Sequence, residues 1–257
     1  MNMTHIKQLH PQTGNIPPVI LMGAGPGDPE LLTVKAWKAL QGASLILYDH
    51  LVSEAILNLA PPSAERMYVG KESSRHALPQ SEICELMVRL ARAGRSVLRL
   101  KGGDGYIFGR GGEEAQALAE AGIAFTVIPG ITAAQGASAS VGIPLTHRAH
   151  ARALIFATGH LQNNQLVDLD WDTLARPAQT VVIYMGLGTL PIICRELIAH
   201  GMPSDKPAAL IENASLPNER CITGDLGTLP ALAQQHQIKP PALIFIGDVV
   251  RLHQVLS

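Results

Sequence analysis

The stretch from Arg99 to Glu114, which reads RLKGGDGYIFGRGGEE, combines six glycines with six charged side chains. Glycine loses much backbone freedom when it is ordered, so this density indicates a place where the backbone approaches a ligand closely just past a strand. Asp104, set among these glycines, could accept hydrogen bonds from hydroxyl or ammonium groups and would tolerate a cationic ligand. The alternative is a flexible surface loop, which charges at fixed places between turn-forming glycines disfavour.

Several cationic side chains stand at predicted loop positions. Arg110 and Arg148 carry planar guanidinium groups that suit carboxylates. Each alone could equally be solvated or structural, but together with Lys71, His147 and His160 they predict a local site for an anionic ligand. Because the formal net charge of the chain is only -1, such a ligand must be held by these local charges and not by a global field.

A second glycine-rich loop follows the first apolar run of the chain. Gly23, Gly25 and Gly27 resemble the start of a dinucleotide-binding motif, and Asp49 stands at about the distance of its ribose-binding acid. The match fails at Asp28, which occupies a position where that motif has glycine and would repel a pyrophosphate at a helix N-terminus. An NAD-dependent oxidoreductase is therefore an alternative that the detail of the loop disfavours.

The composition excludes several classes of protein. Aromatic residues make up only 4% of the chain and the net charge is close to zero, which disfavours nucleic-acid binding. No apolar run approaches the roughly 20 residues that a bilayer-spanning helix needs. The three cysteines, Cys84, Cys194 and Cys221, lie far apart in the sequence, which suits a reduced protein of the cytoplasm. No His, Cys and Asp cluster has metal-ligand spacing, so we expect no metal. From the charge, the aromatic content and the short apolar runs, we expect no nucleic-acid partner and no membrane partner.

Apolar runs alternate with helical patterns along the chain, which predicts an α/β protein with mainly parallel or mixed sheets and helices on both faces. Strands are predicted at 19–22, 44–48, 66–69, 96–98, 125–128, 154–157, 181–184, 208–211, 220–223 and 242–246. The organisation that we expect is a flexible polar tail at 1–18, an N-terminal α/β domain at 19–135, a linker at 136–152 and a C-terminal α/β domain at 153–257. The two domains should face a shared cleft, and the polar loops should gather at one edge of each sheet.

Eight motifs, in order along the chain, resemble the uroporphyrinogen-III C-methyltransferases of the tetrapyrrole methylase family. They are GAGPGDPELLT (23–33), YDHLVS (48–53), VGK (69–71), RLKGGDGYIFGRGGEE (99–114), VIPGITAA (127–134), GIPLTHR (142–148), ATGH (157–160) and YMGL (184–187). The resemblance runs from about Val19 to the C-terminus. It implies the tetrapyrrole methylase fold of two α/β domains around a cleft, and a homodimer.

The resemblance also implies an activity. Members of this family, which are class III S-adenosylmethionine-dependent methyltransferases, use two S-adenosylmethionine molecules to methylate C2 and C7 of uroporphyrinogen III. The product, precorrin-2, forms by way of precorrin-1 and supplies sirohaem, cobalamin and haem d1. The substrate carries eight carboxylates and the methyl donor is a sulfonium cation. Local arginines beside an isolated aspartate therefore suit this pair of ligands.

The site residues that the resemblance implies fall into three groups. Those that should line the S-adenosylmethionine pocket are Pro26, Gly102, Gly103, Asp104, Ile107, Thr132, Ala133, Met185, Ala214 and Ala242. Those that should face the tetrapyrrole are Arg110, Glu113, Arg148, His160 and Met185. Those that should take part in catalysis are Glu113, Arg110, Asp49 and Lys71.

Roles within the catalytic group differ. Asp49 and Lys71 match positions proposed as proton acceptor and proton donor in some members of the family. Glu113 is a candidate for the base that removes a proton from the macrocycle, with Asp49 as its rival. Arginine is a poor base because its pKa lies above about 12, so Arg110 and Arg148 are expected to bind and to stabilise charge.

Two departures from the family pattern affect the predicted loops. Gly105 and Tyr106 stand where Pro-Phe is expected, and Ala214 stands where many members have glycine. The alternatives within this fold are methylases that act on a later corrin intermediate, on diphthine or on ribosomal RNA, of which the last conflicts with the lack of a basic face. No dehydrogenase or chelatase module is evident, so a stand-alone methyltransferase is expected.

Overall fold

The computed structural model describes residues 16–70, 78–159, 161–162, 165–166 and 169–257. The chain divides into two compact units, Met1–Thr132 and Ala133–Ser257. Lys71 and His160, which the sequence places in the site, lie outside the described residues, as do positions 1–15 of the predicted tail. Within the described residues, no helix is long and apolar enough to cross a membrane.

The first unit alternates strands and helices. Its elements are β1 (Val19–Gly23), α1 (Val34–Gln41), β2 (Leu45–Tyr48), α2 (Glu54–Leu57), β3 (Glu65–Tyr68), α3 (Gln80–Arg92), β4 (Val97–Lys101), α4 (Gly111–Glu120) and β5 (Phe125–Ile128). In the described residues these strands form one sheet in the order β3-β2-β4-β1-β5, and every pair in it is parallel. The carboxyl ends of all these strands therefore lie at one edge of the sheet.

Helices cover both faces of this sheet. Ile46 and Leu100 pack on one face with Ala36 and Leu40 of α1. On the other face the strand residues pack against two helices, α3 and α4. Their buried members include Leu45, Leu47, Ile83, Met87 and Leu118. The first sheet is thus the doubly covered parallel sheet that the alternating pattern predicts.

The sequence after Asp28 has a helical apolar pattern from Pro29 to Leu40, which predicts one helix, but the structure forms two separate elements there. A 3-10 helix, Pro29–Leu31, ends where Leu32 adopts an extended conformation. The hydroxyl of Thr33 then accepts a hydrogen bond from the backbone N–H of Ala36 and starts α1. A second N-cap inside an apolar pattern restarts the helix without disturbing the apolar spacing, so periodicity alone does not reveal it.

The second unit begins with α5 (Ala133–Ser140). Its remaining elements are β6 (Ala153–Thr158), β7 (Leu161–Gln162), β8 (Gln165–Leu166), α6 (Trp171–Leu174), β9 (Gln179–Tyr184), α7 (Leu190–Ala199), β10 (Pro207–Glu212), β11 (Arg220–Asp225), α8 (Leu229–Gln235), β12 (Ala242–Ile246) and α9 (His253–Leu256). Residues 136–152, predicted as a linker, fall inside this unit, and those up to Ser140 belong to α5.

The second sheet is mixed. Its order is β11-β10-β12-β9-β6 in the described residues. Only β6 and β9 pair in parallel, whereas β9-β12, β12-β10 and β10-β11 are antiparallel. The short connection from β10 to β11 makes a hairpin, which forces an antiparallel pair. The α/β class with parallel and mixed sheets is confirmed. The predicted strands match observed strands to within two residues at either end, except that the strand predicted at 96–98 continues to Lys101 in β4.

Candidate functional site

Three loops at the carboxyl edge of the first sheet are fastened to one another by backbone hydrogen bonds. Gly25 in the loop after β1 and Gly103 in the loop after β4 donate backbone hydrogen bonds to each other. The nitrogen-to-oxygen distances are 3.1 Å from Gly25 to Gly103 and 2.7 Å from Gly103 to Gly25. The N–H of Ala24 donates to the carbonyl oxygen of Lys101 at 2.7 Å. The first glycine loop is therefore bonded to the glycines of the 99–114 stretch.

Glycine is required where these backbones meet. A Cβ atom on Gly23 would lie 2.6 Å from the backbone nitrogen of Gly130 and 2.7 Å from the carbonyl oxygen of Gly103. Real Cβ atoms do not approach backbone atoms so closely, so any side chain at Gly23 would separate the loops. The glycines at 23 and 130 are thus explained by the contact between the three loops.

Asp104 locks the loop after β4 to the loop after β5. Its Oδ2 accepts a hydrogen bond from the backbone N–H of Gly130 at 3.0 Å, and its Oδ1 accepts one from the N–H of Tyr106 at 2.9 Å. Each carboxylate oxygen has further acceptor capacity. Asp104 therefore shapes the edge where the loops that contain Pro26, Gly102 and Ile107 lie, and this structural role was not predicted from the sequence.

The loop before α4 has strained backbone positions. Phe108 and Arg110 have φ angles of 52° and 60°, in the left-handed region that residues with a Cβ atom seldom adopt. Such strain costs roughly 1–3 kcal/mol per residue and is concentrated at functional sites in known proteins. The conformation of Arg110 places its side chain over the first turn of α4, where Glu113 lies.

Arg110 and Glu113 form an exposed bidentate ion pair. Arg110 Nε and Nη2 donate to the two carboxylate oxygens of Glu113 at 2.8 and 2.7 Å. The hydrogen bonds from Arg110 lower the pKa of Glu113 below its usual value, and desolvation of the carboxylate opposes them. Both residues line a groove of about 590 Å³ between α3 and α4. Carboxylate and guanidinium are thus brought together on an open surface.

A buried cluster of charges lies beside this edge. Glu114 is fully buried, and its Oε1 accepts hydrogen bonds from Arg99 Nε at 3.1 Å and from Lys101 Nζ at 2.9 Å. Gln80 Nε2 donates to the same oxygen at 3.2 Å. Arg99 also donates to Asp49 Oδ2 at 3.1 Å, so the cluster connects β2, β4, α3 and α4.

Sequence reasoning missed this cluster. Arg99 and Lys101 are two residues apart in β4 and so share one face of a buried strand, while Glu114 precedes the buried Leu118 by four residues on α4. Charges at core positions of two neighbouring elements are the signal that could have identified the cluster. Burial and the neighbouring Arg99 charge lower the pKa of Lys101, and Glu114 opposes that change.

In the second unit, several predicted residues share one edge of the sheet. Met185 directly follows the end of β9, Ala214 follows the end of β10, and Ala242 begins the intervening β12. Met185 is 50% exposed and has a φ angle of 54°, so it is an exposed apolar side chain on strained backbone and not a core residue. Asn213 and Ser215, on either side of Ala214, also have positive φ angles.

Two further predicted positions lie in the first turns of the second unit or just before it. Tyr184 Oη accepts a hydrogen bond from the N–H of Ala134, so the first turn of α5, which contains Ala133, lies beside the end of β9. Thr132, which precedes α5, is buried.

Arg148 is exposed in a turn that is closed by backbone hydrogen bonds between His147 and Ala151. Among the described residues, no group of three His, Cys, Asp or Glu could hold a metal ion.

The chain matches the family model described as Tetrapyrrole (Corrin/Porphyrin) Methylases over residues 18–230. Among curated proteins, a siroheme synthase of Nitrosomonas europaea is 54% identical over 93% of this chain and 50% of its own length. A siroheme synthase of Thioalkalivibrio sulfidiphilus is 55% identical over 93% of this chain and 49% of its own length. The chain therefore spans about half the length of these relatives.

Solved structures give the same assignment. The native uroporphyrin III C-methyl transferase from Thermus thermophilus is 42% identical, covers 91% of this chain and 99% of its own, and superposes with a TM-score of 0.78. A form of that enzyme in complex with S-adenyl homocysteine has the same identity and TM-score over 91% and 94% of the two chains. A cobalt precorrin-4 methyltransferase is 26% identical over 91% and 95%, with a TM-score of 0.80. On these matches, the chain belongs to the tetrapyrrole methylase family.

Proposed function

We propose that the chain transfers methyl groups from S-adenosylmethionine to C2 and C7 of uroporphyrinogen III, giving precorrin-1 and then precorrin-2. The observation that carries this proposal is the 42% identity to a solved uroporphyrin III C-methyl transferase over nearly the whole of both chains. Assignment to the sirohaem branch is supported by the siroheme synthases among the curated relatives. A homodimer that acts in the cytoplasm completes the proposal.

The residues of the chain fit the chemistry of the methyl donor. S-adenosylmethionine supplies an electrophilic methyl group carried by a sulfonium cation, which needs apolar and carbonyl surroundings and no phosphate site. We propose that Asp104 orders the backbone amides and carbonyls of the loops to which S-adenosylmethionine binds, and that the exposed Met185 supplies an adaptable apolar contact. The full proposed set is Pro26, Gly102, Gly103, Asp104, Ile107, Thr132, Ala133, Met185, Ala214 and Ala242.

Dinucleotide binding, the alternative from a different class, is opposed by Asp28. Its Oδ1 accepts a hydrogen bond from the backbone N–H of Glu30 at 2.8 Å, so a carboxylate caps the short 3-10 helix that follows the first glycine loop. A pyrophosphate needs free amides and positive potential at that position. Equilibrium dialysis with labelled S-adenosylmethionine and labelled NAD separates the two functions. Binding of S-adenosylmethionine alone is expected, and binding of NAD alone would contradict the proposal.

The proposed chemistry assigns roles to the charged residues of the first unit. Arg110 binds carboxylates of the tetrapyrrole and stabilises charge, because its guanidinium stays protonated. Glu113 accepts a proton that must leave the macrocycle, and Asp49 is the other candidate acceptor. Lys71 as proton donor, and Arg148 and His160 as substrate-binding residues, remain predictions from the resemblance. The main contribution of the protein is then to position the two reactants and to exclude water.

Replacing Asp104 by alanine is expected to weaken S-adenosylmethionine binding by roughly tenfold or more, because loss of two hydrogen bonds to backbone amides frees the loops after β4 and β5. Isothermal titration calorimetry measures the dissociation constant. Asp170→Ala is the matched control, since Asp170 also accepts a backbone N–H, from Thr173, but lies in the second unit at the start of α6. An unchanged dissociation constant in Asp104→Ala would remove Asp104 from the donor site.

A corrin methylase with a different acceptor is the second candidate function, favoured by the TM-score of 0.80 with the cobalt precorrin-4 methyltransferase. Release of S-adenosylhomocysteine distinguishes the acceptors. We expect release with uroporphyrinogen III and none with a cobalt precorrin-4 substrate. The reverse pattern would establish the second candidate.

A further inference from the structure

The guanidinium of Arg99 joins two carboxylates that differ in exposure. Its Nε donates to Oε1 of the fully buried Glu114, and its Nη2 donates to Oδ2 of Asp49, each at 3.1 Å. Its Nη1 donates to the carbonyl oxygen of Leu100 at 2.9 Å. Arg99 itself is only 3% exposed. All three nitrogens of the planar group are therefore engaged, which leaves Arg99 a single orientation.

Asp49 is the member of this cluster that reaches the surface. Its side chain is 21% exposed, whereas that of Glu114 is 0% exposed. While Oδ2 accepts from Arg99, Oδ1 accepts a hydrogen bond from the backbone N–H of Leu51 at 3.2 Å. The carboxylate is thus held by one contact on each oxygen at the carboxyl end of β2, at the same edge of the sheet as the glycine loops.

Glu114 gives Arg99 a rigid support. The oxygen that accepts from Arg99 also accepts from Lys101 and from Gln80, so it is fixed by donors on β4 and α3. Burying such an ion-pair network seldom stabilises a fold more than apolar residues of the same size would. Because the network contacts the partly exposed Asp49 carboxylate through Arg99, it can serve to orient that carboxylate.

Two methyl transfers release two protons from the tetrapyrrole, so a second proton acceptor beside Glu113 has a use. We propose that Arg99 is a positioning residue that holds the Asp49 carboxylate as that second acceptor, with Glu114 and Lys101 as its support. The inference rests on the proposed function, because it assigns Asp49 to the uroporphyrinogen reaction. Neither Arg99 nor Glu114 touches the substrate in this scheme. The arginine acts only by fixing where the Asp49 oxygens lie, and a displacement of about 1 Å at a reacting group can cost roughly 100-fold in rate.

The test is a double-mutant cycle on turnover. Arg99→Gln is expected to lower kcat by roughly 10- to 100-fold while the KM for S-adenosylmethionine changes less than about twofold. In an Asp49→Asn background, Arg99→Gln should lower kcat by less than about twofold further, because the group that it positions is already gone. Arg99→Lys keeps the charge, but its single nitrogen lacks the planar group whose separate nitrogens reach both carboxylates. It should lose turnover like Arg99→Gln, and it replaces that variant if glutamine prevents folding.

Arg95→Gln is the matched control, since Arg95 pairs with Glu65 on the surface and has no link to Asp49. Its kcat should equal that of the wild type. Wild-type kcat in folded Arg99→Gln, or losses in the Arg99 and Asp49 single variants that multiply in the double variant, would overturn the proposal.

Failure of the proposed function has a different signature. If the wild-type chain does not turn over uroporphyrinogen III, the assignment of Asp49 to that reaction falls with it. The contact between Arg99 and Asp49 is then tested by the free energy of unfolding, measured by chemical denaturation of the wild type, Arg99→Gln, Asp49→Asn and the double variant. Coupling predicts that the double variant loses less stability than the two single variants together. Fully additive losses would show that Arg99 does not hold Asp49 at all.

Discussion

Glu114→Gln is expected to lower the free energy of unfolding by about 3–5 kcal/mol, the usual cost of breaking a buried ion pair on one side. Glu114 is fully buried and is the carboxylate that Arg99 and Lys101 share. Glutamine would leave two buried cations with a neutral partner. In addition, Glu114 Oε2 has no hydrogen-bond partner among the described residues, so an amide NH₂ group placed there would find no acceptor.

Chemical denaturation monitored by circular dichroism measures this loss, with Glu113→Gln as the matched control. The two residues are neighbours in the first turn of α4, but Glu113 pairs with Arg110 in an exposed position. Exposed pairs contribute roughly 0–1 kcal/mol, so Glu113→Gln should unfold close to the wild type. Equal stability of the two variants would mean that the Arg99-Lys101-Glu114 cluster does not hold β4 to α4.

Glu113→Gln is expected to lower kcat by roughly 10²- to 10⁴-fold, the range that a general base contributes. The dissociation constant for S-adenosylmethionine should stay unchanged, because Glu113 lies on α4 and not in the glycine loops. Single-turnover kinetics with uroporphyrinogen III measure the rate. Glu196→Gln is the control, since Glu196 also forms an exposed ion pair with an arginine, Arg195, but lies on α7. Full turnover in Glu113→Gln would transfer the base role to Asp49.

The same pairing sets the pH dependence of that step. Hydrogen bonds from Arg110 lower the pKa of Glu113 below the ordinary value of 4.5. A base with a lowered pKa is fully ionised at neutral pH and loses its function only when the pH falls below that ordinary value. The rate of the wild type should therefore show no loss from Glu113 between neutral pH and about pH 5. In Arg110→Gln, the loss should begin at a higher pH than in the wild type.

The strands could be predicted from the sequence because short apolar runs bounded by glycine, proline or polar residues have few alternatives. Val19 to Met22 and Ala242 to Ile246 are examples. The direction of the later strands could not be predicted, because it depends on how each connection crosses the sheet. The mixed second sheet and the restart of the helix at Thr33 are set by loop geometry and by one capping hydroxyl.

The candidate site could be predicted only in part from the sequence. Charges in the 99–114 stretch predict a ligand site, yet the pattern does not reveal that Glu114 is buried and Glu113 exposed. Nor does it reveal that the Asp104 carboxylate accepts from backbone amides of two loops. Burial and backbone contacts depend on which elements pack together. In the first unit, the sheet order places β1 between β4 and β5, so the loops after these three strands are neighbours.

Twofold methylation of uroporphyrinogen III by this chain is tested most directly by the mass of the product. The purified chain is incubated anaerobically with uroporphyrinogen III and an excess of S-adenosylmethionine, and the tetrapyrrole is analysed by mass spectrometry. We expect a product heavier by two CH₂ units, because each added methyl group replaces one hydrogen, with a species heavier by one CH₂ unit at early times. A tetrapyrrole of unchanged mass, or one that stops at a single methyl group, would contradict this expectation.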